Sequence, residues 1–394
     1  MNKVELLAPA GNLERLKWAI LYGADAVYIG GENYSLRANA INFTLEEIKE
    51  GVEFAHFYNA KVYVTVNIVF HNEDLDGLVE YLRKLEELNV DAIICSDLFI
   101  IDLLKENNIN LEFHLSTQNS TLNSESAKFF KSENVKRVVL ARECSKEEIE
   151  SITKTGIDTE VFIHGAMCTG YSGRCTLSNY FTNRDSNRGG CAQICRWAFD
   201  LKGVNSDTKF SIAPKDLSNL KFIGELIDLG VSSFKIEGRM KSIYYISTII
   251  SVYRRVIDEY LKSGKYEYNK KDEIELYRCA NRDSLPQYFD KKPGEKEQYY
   301  IGRDEVTNQD FLGVVLDYDK KNKEIILEER NYFKVGDKIN IFGPNNKSFS
   351  LTVRYIKNED GELVEFANHP KEILRIPCEE EVSKYDLIRV DFLN

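Results

Sequence analysis

Four of the chain's eight cysteines, Cys168, Cys175, Cys191 and Cys195, fall within 28 residues at the spacing C-x6-C-x15-C-x3-C. The segment that holds them, Cys168-Thr-Gly-Tyr-Ser-Gly-Arg-Cys175 through Cys191-Ala-Gln-Ile-Cys195, is rich in Gly, Ser, Asn and Arg. Soft thiolates gathered on an irregular, glycine-rich loop are what a metal or an iron–sulfur centre needs, because such a loop can wrap its sulfurs around one point. Zinc sites favour closely spaced cysteine pairs, and only Cys191 and Cys195 comply. The longer gaps suit a cluster better, and the pattern by itself leaves both metals open. Cys95, Cys144, Cys279 and Cys378 are scattered singly and read as ordinary small residues of core or surface.

The bulk properties bound what such a loop is attached to. At 394 residues, 43% hydrophobic and 29% charged, the chain reads as two soluble domains with ample core. No apolar run reaches the ~18 residues of a membrane span. Met1-Asn-Lys-Val-Glu-Leu-Leu-Ala-Pro-Ala10 has no signal-peptide pattern, so a cytoplasmic location without membrane contact is expected. Thiols stay reduced there, which favours metal over disulfide. A net charge of −11 argues against a broad basic surface, though not against a local one.

Up to about residue 265, short β-branched runs alternate with amphipathic stretches. The strand candidates are Val4–Ala8, Ala26–Gly30, Val62–Val66, Ala92–Cys95, Leu111–Leu115, Arg137–Leu140, Glu160–His164 and Ser233–Ile236. Helical patterns lie between them, including Asn12–Tyr22, Leu45–Tyr58, Leu75–Leu88 and Ser124–Glu133, with Thr44 and Asp74 as N-caps. Eight strand–helix units are the arithmetic of an α/β fold of the (β/α)8, TIM-barrel-like type. A doubly wound open sheet shares the alternation, but no Gly-x-Gly-x-x-Gly follows the first strand.

In a barrel the C-terminal strand ends converge on one face, where active sites lie. Here those ends carry His114, Arg142-Glu143, His164 and Glu237-Gly-Arg239, with Arg37 following the second strand. The cysteine-rich insertion, residues 165–210, follows strand seven and would cap this mouth. It is expected to carry a hairpin of Trp197–Leu201 and Lys209–Ile212 around Gly203–Asp207. Ser211–Leu217 would then enter a helix and bring Lys215 and Asp216 back to the mouth. His164, His114 and Asp216 are the acid–base candidates. Arg37, Lys215 and Arg239 could receive an anionic small molecule, and Glu237 lies at the same strand end, able to pair with Arg239. No Gly-x-Ser-x-Gly, His-Glu-x-x-His or phosphate-binding loop appears. A long helix over 242–263 closes this domain, 1–265.

Residues 266–300, dense in Tyr, Lys and Glu, read as a linker or arm. From 301 to 394 short strands at regular spacing predict a small all-β barrel or sandwich. Its strand candidates are Gly313–Asp317, Glu324–Leu327, Lys338–Phe342, Ser350–Ile356, Leu363–Phe366 and Asp386–Val390.

Several blocks resemble one family in the order in which they occur. Glu160-Val-Phe-Ile-His-Gly-Ala-Met-Cys168-Thr-Gly-Tyr-Ser-Gly-Arg-Cys175-Thr-Leu-Ser178 looks like the signature of the U-32, collagenase-like peptidases. Glu5-Leu-Leu-Ala-Pro-Ala-Gly11, Gly23-Ala-Asp-Ala-Val-Tyr28, Pro214-Lys-Asp-Leu217 and Lys235-Ile-Glu-Gly-Arg-Met-Lys-Ser242 match as well. The C-terminal region, with Glu329-Arg-Asn331, Gly336-Asp337 and Ala367-Asn-His-Pro370, is similar to that of the tRNA-hydroxylating branch. The resemblance implies an enzyme taking part in prephenate-dependent 5-hydroxylation of the wobble uridine of tRNA. It implies a [4Fe-4S] cluster on Cys168, Cys175, Cys191 and Cys195, with prephenate or a similar dicarboxylate as co-substrate near Arg37, Lys215 and Arg239. The implied partner is tRNA, met by the β module and by Arg174, Arg184, Arg188 and Arg196. Residues 301–394 carry 19 acidic against 14 basic side chains, so a paired family-member subunit is a candidate source of positive charge. Two rival readings stand beside this one. The first is a metallopeptidase with structural zinc on the cysteines, and the second a non-catalytic iron–sulfur accessory protein.

Overall fold

Alternation along the strands decides how this chain packs. The computed structural model describes residues 4–36, 42–200, 202–203, 209–280, 282–299, 309–344 and 347–392. Eight strands, β1 (Glu5–Pro9), β2 (Ala26–Gly30), β3 (Lys61–Val66), β4 (Ala92–Cys95), β5 (Glu112–Leu115), β6 (Arg137–Val139), β7 (Asp158–Gly165) and β8 (Ser233–Ile236), pair in parallel in that order. β8 also pairs with β1, closing the barrel. Every second residue (Leu6, Val27, Val62, Val64, Ile93, Phe113, Val138, Phe234) faces the helices in one continuous core. Their neighbours Leu7, Ala26, Tyr28, Tyr63, Ala92 and Ile94 form a separate cluster inside the barrel. That period of two is what made the eight runs legible as strands.

The barrel interior is ionic as well as apolar. Arg137 Nη1 contacts Glu5 at 2.6 Å and Glu160 at 3.4 Å, and Lys235 Nζ donates to Glu160 at 2.7 Å. The Tyr63 hydroxyl and the Ser233 hydroxyl donate to Glu5 at 2.6 and 2.8 Å. Glu160 is wholly buried, and its two cations outweigh desolvation and hold its carboxyl below the usual range.

Capping chemistry placed some helices correctly. Thr44 accepts from Glu47 N–H while Glu47 returns the bond to Thr44 N–H, so the helix Leu45–Phe57 starts on a full capping box. Asp74 does not cap a helix. Helix Leu78–Glu87 begins after Gly77, and Asp74 instead closes a tight turn by accepting from His71 N–H.

Ser211–Leu217 does not enter a helix either. Asp216–Ser218 extends the barrel sheet, running antiparallel to β7 with His164 opposite Ser218, and the next helix starts at Ile223. Stretch 266–300, expected as a linker or arm, holds a helix at Lys270–Ala280 and folds back on this segment. Ser284–Leu285 pairs with Asp216–Leu217, and Gln298–Tyr299 pairs with Ala213–Pro214. Short runs with polar neighbours carry no periodic signal, so only the tertiary pairing reveals them. Of the hairpin expected at Trp197–Leu201 and Lys209–Ile212, the described residues show one antiparallel bridge, Phe199 to Phe210.

The C-terminal region is all-β. Its main sheet runs Ser348–Thr352, Lys338–Phe342, Leu387–Val390, Phe311–Asp319, Glu324–Glu329, Ile373–Pro377, Ile356–Lys357 and Leu363–Val364, all antiparallel. Ile373–Pro377 was not among the expected strands. The module has its own core, and it docks on the barrel's first and last helices. Tyr22 donates to the carbonyl of Tyr385 at 2.7 Å, and the rings of Tyr244 and Phe311 stack at 5.0 Å. Among the described residues no helix is long and apolar enough to cross a membrane.

Candidate functional site

β7 ends at Gly165, whose φ of +113° lies in the left-handed region and whose missing side chain lets the Glu237 backbone approach. An added Cβ would stand 2.7 Å from the Glu237 carbonyl oxygen. The cysteine insertion therefore leaves the barrel directly beside the end of β8, over the mouth.

Three anchors hold the insertion down. Ser172, in a tight turn at φ 48°, donates its N–H and hydroxyl to Glu143 at 2.7 and 2.6 Å. Arg188 clamps Asp74 with both guanidinium nitrogens and donates to the Val69 carbonyl at 2.9 Å. Ile212 N–H donates to the Cys195 carbonyl at 3.2 Å, and the Thr169 hydroxyl donates to the Ile212 carbonyl at 2.7 Å. Glu143 and Asp74 as anchors were not legible in the sequence, because their partners lie 29 and 114 residues away.

All eight cysteines are free thiols. Cys168, Cys175 and Cys195 are partly buried and Cys191 is exposed. Cys175 and Cys195 act electrostatically on Cys168, and Cys191 and Cys175 on Cys195. Burial pushes the Cys168 and Cys195 thiols up, and the Gly170 N–H partly offsets it at Cys168. Leu177 N–H also points at Cys175 Sγ, at 3.4 Å. Among the described residues no three His, Cys, Asp or Glu side chains are drawn together as a ready-made metal site. In kind, number and N–H···S support, the four thiols nonetheless fit a four-thiolate centre.

The other site candidates fall into different surroundings. His164 is wholly buried against the long helix Ile243–Ser263, with Nδ1 3.2 Å from the Tyr253 hydroxyl. A bulge where Lys235 pairs with Phe162 but Ile236 pairs with His164 breaks the alternation of β7 at this point. Burial, helped by Lys241, pushes His164 down to about 3, so it stays neutral. His114 is equally buried in the barrel interior, where Nε2 meets Glu112 at 2.8 Å and the ring abuts Tyr63. Burial lowers its pKa as well, against the Glu112 bond. Neither histidine is hydrogen-bonded directly to a serine or cysteine in these contacts, although the Tyr253 hydroxyl that meets His164 also meets Ser218 at 3.3 Å.

Arg239 does not pair with Glu237. Its Nη1 donates to Ser35 and Thr65 at 2.9 and 3.1 Å, and its Nη2 to the Leu36 carbonyl at 3.3 Å. It fills the space a Cβ on Gly30 would need, at 2.5 Å. Glu237 takes Arg142 instead, at 3.2 Å, and Arg142 lies over the Phe162 ring and near Cys168. Lys215 faces Asp283 at 3.5 Å and the Tyr299 ring at 5.6 Å. Arg37 lies outside the described residues. Asp216 is buried and meets Arg282 at 3.6 Å, and Arg196 and Lys241 share its field. Burial first and Arg282 second lower both Arg196 and Lys241, while the neighbouring Cys191 and Cys195 act on Arg196 in the opposite sense. Arg282 thus pairs with Asp216, and Arg196 and Lys241 lie within electrostatic reach of the same carboxylate. Sequence reading missed Lys241, although it lies within the block Lys235–Ser242, and Arg282, which lies in a segment without a motif.

Comparison with known proteins bears on this geometry. The model of peptidase family U32 matches residues 11–299, and that of the U32 C-terminal domain matches residues 307–389. The chain belongs to peptidase family U32. Within that family it is 48% identical to tRNA hydroxylation protein P1 of Bacillus subtilis, over 98% of this chain and 95% of that one. The 23S rRNA 5-hydroxycytidine C2501 synthase of Escherichia coli is 41% identical over 65% of this U32 chain and 40% of its own length. A protein named collagenase from Porphyromonas gingivalis is 33% identical over 99% of both chains.

Proposed function

We propose that this U32 protein hydroxylates RNA, and specifically the wobble uridine of tRNA at its 5-position, using prephenate or a similar dicarboxylate. The observation that carries this reading is the 48% identity, nearly end to end, with a tRNA hydroxylation protein. The four thiols carried by the one insertion that follows β7 support it. Cys168, Cys175, Cys191 and Cys195 would hold a [4Fe-4S] cluster, which when bound would supply electron transfer.

The chain's own residues do the rest of the work. Glu143, Asp74 and Arg188 fix the insertion over the mouth. An anionic co-substrate beside the thiols would meet Arg196, Lys241 and Arg282, whose shared positive field around Asp216 is made stronger by burial. Arg239 orients the Ser35–Leu36 turn and Thr65 on the same face. His114 and His164, both held neutral, are suited to positioning at neutral pH rather than to donating a proton.

A second reading, peptide hydrolysis with structural zinc, is favoured by the collagenase relative. The burial of His114 and His164, bonded to Glu112 and Tyr253 rather than to a serine or cysteine, speaks against it. Two measurements decide. TRNA nucleosides from a deletion strain should lack 5-hydroxyuridine derivatives by mass spectrometry, and an unchanged profile rejects the hydroxylation reading. Anaerobically purified protein should carry about four irons with sulfide and a broad visible absorption. A colourless protein with zinc and peptidase activity would establish the second reading.

A further inference from the structure

Four aromatic side chains crowd one side of the cysteine insertion. The short helix Leu177–Thr182 carries Tyr180 and Phe181, whose rings lie 5.1 Å apart. Phe181 also meets Trp197 at 6.3 Å and Phe199 at 5.9 Å. Burial would be the ordinary fate of such rings, yet Tyr180 is 85% exposed, Phe181 47% and Trp197 44%. The chain's other tryptophan, Trp18, is 3% exposed and packs against Tyr22 and Tyr385.

The rings are tied to the thiol group. Leu177 N–H, at the start of their helix, bonds Cys175 Sγ at 3.4 Å, and Ala192 N–H bonds the Ser178 hydroxyl at 3.0 Å. Trp197 stands two residues after Cys195. The local charge is reversed relative to the whole molecule. Residues 168–210 contain six cations (Arg174, Arg184, Arg188, Arg196, Lys202, Lys209) and three anions (Asp185, Asp200, Asp207), a net +3 in a chain of −11. Arg188 is committed to Asp74, whereas Arg174 and Arg184 are exposed.

Exposed rings interleaved with arginines are the composition of a surface that binds unpaired nucleic acid. Bases stack on the rings whatever their sequence, and the cations follow the phosphates. We propose that Tyr180, Phe181 and Trp197 form a stacking platform that receives unpaired bases of an RNA loop and delivers one of them to the neighbouring four-thiol group. The proposal rests on the reading that the substrate is RNA. It assigns to the insertion the substrate contact that the acidic β module, with its excess of carboxylates, is poorly suited to make.

The test uses the full chain and a stem-loop RNA with the anticodon-arm sequence. Binding should quench the fluorescence of Trp197, while buried Trp18 stays unaffected. The double substitution Tyr180→Ala/Trp197→Ala should weaken binding ~10-fold or more. The pair Tyr180→Phe/Trp197→Phe should bind close to wild type, because a ring is kept. Arg174→Gln and Arg184→Gln should each lower the slope of log affinity against log salt by about 0.7. Unchanged thermal melting of all variants shows that folding is not the cause. Wild-type protein that neither binds nor is quenched overturns the RNA reading itself. Wild-type binding with an alanine pair that binds equally well rejects the platform and leaves that reading in place. An alanine pair that keeps RNA affinity but loses association with a protein partner makes the patch a protein interface and also rejects it.

Discussion

Arg188 and Asp74 stand 114 residues apart and meet through two guanidinium nitrogens, one of them 2.9 Å from the carboxylate. This pair ties the second half of the cysteine insertion to the loop after β3. Arg188→Gln should cost on the order of 1 kcal/mol of local stability and speed proteolysis within the insertion, while the barrel's own unfolding is little changed. The bond from Arg188 holds Asp74 down to about 2, below its ordinary 3.8. Its folded pKa is lowered, so the tie is complete above about pH 4 and is lost as pH falls towards 2. Proteolysis rates measured across that window should rise in the wild type and stay flat in the variant.

Glu160 is the buried hinge of the interior network, facing Arg137 and Lys235 together. Glu160→Gln leaves two cations inside the barrel with one carboxylate, Glu5, between them. A loss of about 3–5 kcal/mol in urea unfolding is expected, the usual consequence of breaking a buried pair from one side. A loss under 1 kcal/mol would mean that water reaches this layer.

His164 stays neutral because burial, aided by Lys241, pushes it down to about 3 from 6.5. The unfolded chain takes up a proton below about pH 6.5 that the folded chain refuses, so His164 lowers stability as pH falls from there towards 3. The contribution is about 1.4 kcal/mol per pH unit. His164→Gln should lose that slope, so the stability difference between variant and wild type should change with pH in chemical denaturation at pH 7, 6 and 5. A constant difference would show that His164 protonates freely in the folded protein and is available as an acid.

Cys168, Cys175, Cys191 and Cys195 should behave as a set. Replacing any one by Ala should reduce iron content and visible absorption at least several-fold, whereas Cys95→Ala, Cys144→Ala and Cys378→Ala should leave both intact. Those three thiols are buried in apolar surroundings whose burial pushes their pKa up. Metal analysis of anaerobic preparations makes the comparison.

The barrel was legible because its strands obey a period of two and its helices carry local caps such as Thr44. The four cysteines stood out because four soft donors gathered on one glycine-rich loop form a pattern that singly scattered cysteines do not. What stayed hidden depends on long-range pairing. Glu143 looks like a mouth carboxylate until Ser172 is seen to occupy it, and Arg239 looks like an anion receptor until Ser35 and Thr65 fill its fork. Arg282 joins the site only because Ser284–Leu285 pairs with the segment that carries Asp216. His164 reads as a mouth residue by simple alternation, and the bulge in β7 turns it against Tyr253 instead.

The central claim is that the four-thiol group serves tRNA hydroxylation, and complementation tests it directly. A deletion strain carrying either the wild-type chain or Cys175→Ala would have its tRNA nucleosides measured by mass spectrometry, with equal protein levels confirmed. The account predicts that wild type restores 5-hydroxyuridine derivatives and Cys175→Ala does not. Equal restoration by both would contradict it.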